Sequence, residues 1–78
     1  TISLFYFNLG VFYNLVHEDN EMAIKHYEIA INKGVKHQSP YPTARAMIEL
    51  GNITSNENLK VKGITILSVF HPEILDFL

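Results

Sequence analysis

The stretch YFNLGVFYNLVHEDNEMAIKHYEIA, residues 6–30, decides how this chain folds. Tyr6, Leu9, Gly10 and Tyr13 follow the pattern aromatic-x2-Leu-Gly-x2-Tyr. Ala23, Tyr27 and Ala30 follow Ala-x3-aromatic-x2-Ala. Spacings of three and four put each set on one side of a helix. Each set mixes large and small side chains, as two helices packed closely into a hairpin require. Between them His17, Glu18, Asp19 and Asn20 form a polar turn. Asp19 or Asn20 can cap the second helix, and Glu21 suits its first turn.

Working outward, the first helix is predicted over Ile2 to Val16, where Phe5, Leu9, Phe12 and Val16 recur at helical spacing. It is apolar nearly all round, which predicts burial on more than one face. Its 15 residues, interrupted by Asn8, Gly10 and Asn14, fall short of the roughly 20 that a spanning helix needs. No basic region followed by a small-residue cleavage site marks a signal peptide.

The second helix is predicted over Glu21 to Lys33, with Gly34 as its stop. A loop should follow over Val35 to Tyr41, and Pro42 suits the first turn of a third helix reaching Ile53. Thr54, Ser55, Asn56 and Asn58 make the next polar turn. Val61 to Phe70, VKGITILSVF, is rich in β-branched residues and in isolation reads as a strand. The spacing of Ile64, Leu67 and Phe70 and the lack of a partner strand favour a helix, broken by Pro72, with a further helix starting there.

A shift of 41 residues lays SLFYFNLG (Ser3 to Gly10) over ARAMIELG (Ala44 to Gly51), so Leu9-Gly10 matches Leu50-Gly51. With the Ala23, Tyr27, Ala30 set, these strings resemble the Sel-one-like repeat, a relative of the tetratricopeptide repeat. The ten-residue step from Tyr13 to Ala23 favours the Sel-one-like variant. The resemblance covers Ile2 to Ile53. In the second unit Thr54 replaces Tyr13, and Gly63, Leu67 and Phe70 stand for Ala23, Tyr27 and Ala30.

The resemblance implies an all-α chain of antiparallel helical hairpins, stacked as an α-solenoid fragment of about two repeats. The expected units are a first hairpin over 1–34, a connecting loop over 35–43, and a degenerate second hairpin over 44–78 with the start of a further helix. Ala23 is expected to face Gly10 or Leu9, and Tyr6 and Tyr13 to bracket Gly10. By position, a concave partner-binding face would hold Phe7, Val11 and Asn14 with Arg45, Ile48 and Asn52.

Composition narrows the function. The 78 residues are 47% hydrophobic, only 18% charged, carry a net charge of -2 and contain no cysteine. Six scattered Lys and Arg give no basic face for nucleic acid. Thiolate metal sites and disulfides are excluded, and the redox compartment stays open. His17, His26, His37 and His71 form no i,i+4 pair and read as surface residues. The glycines make no phosphate-binding cluster, and neither Ser39 nor Ser68 sits in a nucleophile elbow.

No catalytic, cofactor or metal residue is therefore expected, and the chain reads as no enzyme. The expected role is a protein–protein interaction scaffold; the compartment is left open, with a soluble, cytoplasmic setting favoured. The alternatives are a small structural subunit or segment of a large assembly, and then the helical part of an enzyme whose active site lies elsewhere. The chain begins on Thr1 and closes on Phe77 and Leu78. That predicts a fragment or processed subunit whose ends are covered by further repeats or by other subunits.

Overall fold

A computed structural model describes residues 1–77. It contains four α-helices: α1 (Ile2–Leu15), α2 (Asn20–Lys36), α3 (Pro40–Thr54) and α4 (Glu57–Phe70). A 3-10 helix, Pro72–Phe77, follows. Val61 to Phe70 is helical, so the β-branched residues yield to the period-three pattern of Ile64 and Leu67. Leu78, the end of the expected second unit, lies outside the described residues, as does the placement of the Phe77 side chain.

Each start has a local cause. Thr1 accepts from the Leu4 amide, Asp19 from Met22 and Asn56 from Leu59, so three of the four helices are capped by side chains. The fourth, α3, opens instead on Pro40, whose missing N–H needs no partner at that position. Helix α1 packs on α2, α3 on α4, and the two hairpins meet through α2 and α3, with a smaller contact between α1 and α3.

The connector between the hairpins corrects the sequence reading. Gly34 does not stop α2, which runs on to Lys36, and α3 already begins at Pro40. Only His37, Gln38 and Ser39 lie between, rather than the whole of 35–43. Gly34 serves helix-to-helix contact instead of chain termination. A methyl group on it would run into the Thr43 hydroxyl and lie 2.9 Å from the Ser3 hydroxyl. Those hydroxyls are themselves engaged, Ser3 donating to the Ala30 carbonyl and Thr43 to the Ser39 carbonyl, both at 2.7 Å.

Every glycine of the chain lies inside a helix, one in each. The left-handed positions of the connectors are held by Glu18, Gln38 and Ser55. Glycine here buys proximity. On α1, a methyl at Gly10 would sit 2.5 Å from the Tyr27 ring. Thus Tyr27 is the residue opposite Gly10, one of the two residues that Ala23 was expected to face. Ala23 itself is fully buried in the same cluster.

Two apolar clusters result. The larger joins Phe7, Ala23, Tyr27, Ala30, Ala46 and Leu50, so it ties α1, α2 and α3 together. The smaller joins Ala44, Ile48 and Leu67 and docks α4 on α3.

Candidate interaction face between the first helices of the two hairpins

Helical spacing aligns Tyr41, Arg45, Glu49 and Asn52 along one side of α3. By the same spacing Phe7, Val11 and Asn14 share one side of α1. Arg45 is the link. Its guanidinium carbon stands 5.5 Å from the centroid of the Phe7 ring, within cation–π range. Tyr27 forms the floor, its ring 5.8 Å from that of Phe7.

The polar groups here are poorly satisfied. Arg45 Nη1 donates to the Tyr41 hydroxyl at 3.4 Å, and Nη2 lies 3.8 Å from Glu49 Oε1, both long. Arg45 Nε and the Tyr27 hydroxyl are buried without a hydrogen-bond partner. Burial pushes the Tyr27 hydroxyl from 10.0 up to about 12, and the Glu49 carboxylate adds to the rise. Asn14, from outside hydrogen-bond geometry, and then Arg45 pull the other way.

This shift makes a pH prediction. A raised acid pKa stabilises the fold fully below the unfolded value of about 10, because folding then loses no ionised form. That contribution is expected to fade as pH rises from about 10 toward about 12, where the unfolded chain ionises first. Absorbance at 295 nm should show a late tyrosinate step that Tyr27→Phe removes. Full ionisation near pH 10 would contradict the burial.

Of the six residues expected on a concave face, the structure brings Arg45 over Phe7 and sets Asn14 near the Tyr27 hydroxyl. Arg45, Asn14 and Val11 are half-buried, Val11 packing against the cluster of Phe7 and Tyr27, and Asn52 is exposed. Phe7 is only 6% exposed, with Arg45 over its ring. Ile48 does not belong. It points at α4, where a methyl on Gly63 would come 2.8 Å from its Cγ1. One step of three from Arg45 leads to Ile48, whereas steps of four lead to Tyr41 and Glu49, the residues the sequence reading missed. Their signal was the i,i+4 charge pair Arg45–Glu49.

His26 also differs from its surface reading. It is half-buried and stacked between Tyr13 (ring centroids 5.1 Å apart) and Tyr6 (6.1 Å). Its Nδ1 lies 2.8 Å from the Met22 carbonyl, which only accepts, so Nδ1 carries the hydrogen. Tyr6 and Tyr13 thus bracket His26, while the Tyr27 ring lies opposite Gly10. His17 and His37 are exposed, and His71 stands edge-on to Tyr41 at 5.7 Å.

A concavity of about 480 Å³ opens elsewhere, where α2 ends and α3 begins, lined by Val35, Pro40, Thr43, Ile66 and Phe70 among others. Among the described residues no group of three His, Asp or Glu is placed to hold a metal ion. Among them, too, no helix is long and apolar enough to cross a membrane. Comparison with known protein families, curated proteins and solved structures finds no match to this chain.

Proposed function

We propose that the chain is a non-catalytic protein–protein interaction scaffold of the tetratricopeptide or Sel-one-like type, binding its partner across the face between α1 and α3. The under-satisfied Arg45 guanidinium carries this reading. It is fixed over Phe7, keeps a buried Nε without a partner, and makes only long contacts with Tyr41 and Glu49. A carboxylate would satisfy it better than either neighbour does. The amides of Asn14 and Asn52 offer both donors and acceptors, which suit the backbone of an extended peptide. The ligand class is therefore an extended peptide with an acidic side chain or a free C-terminal carboxylate.

Fluorescence anisotropy with a panel of such peptides tests this. Arg45→Gln is expected to weaken binding about tenfold, the loss of one charge-assisted contact worth about 1.5 kcal/mol. If no peptide binds, or if Arg45→Gln binds as tightly, the reading fails.

A second reading, as a structural segment of a larger assembly, is favoured by a different observation. The outer side of α1 leaves large apolar side chains uncovered, among them Phe5 at 58% and Val16 at 66% exposure.

A further inference from the structure

Ile2, Phe5, Leu9, Phe12 and Val16 follow one another in steps of three and four, and so form a single narrow stripe along α1. All but Leu9 are exposed, and Leu9 is half-buried. Helix α1 holds no charged residue. The stripe faces away from the hairpin's own interface, where Ser3, Phe7 and Gly10 are buried.

The internal repeat shows what such a stripe does. The shift of 41 residues carries Ile2, Phe5, Leu9 and Phe12 onto Thr43, Ala46, Leu50 and Ile53 of α3. Each of those four is buried or half-buried. Thr43 meets Gly34 of α2, while Ala46, Leu50 and Ile53 join the cluster of Ala23, Tyr27 and Ala30. They are the residues by which α3 docks on the hairpin before it. The same register on α1 keeps Leu9 but has Ile2, Phe5 and Phe12 where α3 has Thr43, Ala46 and Ile53, and among the described residues it meets no hairpin.

We infer that the Ile2–Val16 stripe docks a further helical hairpin, whose second helix presents an uncharged face of small residues spaced as Ala23, Ala30 and Gly34 are on α2. Phe5 is larger than Ala46 and Phe12 larger than Ile53, so the partner face must be at least as small as that of α2. A second copy of this chain does not offer it. In each copy Ala23, Ala30 and Gly34 are already buried, and the free side of α4 mixes Glu57, Lys62, Thr65 and Ser68 with Val61 and Ile64. Placing those polar groups against α1 would desolvate them without partners.

The inference rests on the hairpin-stack part of the proposal, and not on peptide capture at Arg45. The test is a tandem chain in which a second copy of residues 1–39 precedes Thr1 of the full sequence. That places an α2 face, followed by its own connector, ahead of α1. The tandem is expected to stay monomeric and to melt about 5 °C or more above the parent. Phe5→Asp with Phe12→Asp, made only in the second α1, should abolish the gain. In the parent, where both positions are exposed, the same pair should leave helicity and melting midpoint nearly unchanged. No gain, or a gain that survives the double substitution, overturns the inference. So does a parent chain that sediments as a dimer dissolved by Phe5→Asp, since that assigns the stripe to a second copy. Peptide binding through Arg45, on the other side of α1, is read separately, so either result can fail alone.

Discussion

Tyr27→Ala is expected to destabilise the chain by about 3–5 kcal/mol, toward the upper end for an aromatic truncation. The reason lies in what surrounds the ring. It is fully buried, presses on the backbone at Gly10, and shares its cluster with Ala23, Ala30 and Ala46. Small neighbours cannot reach into the hole that a missing ring leaves, so most of the cavity persists. A chain of 78 residues has about 4–12 kcal/mol in total to lose. Tyr27→Phe is the control. It keeps the ring and deletes a buried hydroxyl that has no partner, so it should melt at or above the parent. Urea titrations followed by circular dichroism compare the three proteins. A loss below 1 kcal/mol in Tyr27→Ala would show that the ring is not the wedge between α1 and α2.

How legible was this molecule? The helices were, because their signals are local. Asp19 caps α2 as the polar turn implied, and α1 and α3 end within a residue of the positions read from the apolar period. Gly34 was misread because a glycine after a lysine in a last turn fits two physical roles. It can end a helix, or it can let another helix approach. Only the Thr43 and Ser3 hydroxyls, 9 and 31 residues away in sequence, decide between them. The same limit applies at Ile48 and Glu49. Both lie on α3, and which one turns toward α1 depends on where α4 docks. The pairing of Tyr6 and Tyr13 around His26 depends likewise on the depth at which α2 settles, which the Tyr27 and Gly10 contact fixes.

Leu67→Ala should cost a similar amount chemically, about 2–5 kcal/mol, yet act over a shorter reach. Leu67 is the one fully buried large side chain that α4 contributes. Its cluster contains only Ala44 and Ile48 besides itself, with Tyr41 and Ile66 packed at the edge. All of these belong to α3 and α4. The Tyr27 cluster, by contrast, includes Ala46 and Leu50 of α3, so damage there spreads across both hairpins. In a stack whose units touch only their neighbours, a terminal helix can open while the rest holds. Hydrogen exchange should therefore show α4 amides losing protection in Leu67→Ala, while the amides of α1 and α2 keep most of theirs. In Tyr27→Ala, protection should fall in α1, α2 and α3 together. Equal loss in all four helices of Leu67→Ala would mean that the chain opens as one unit, and would count against reading it as two stacked hairpins.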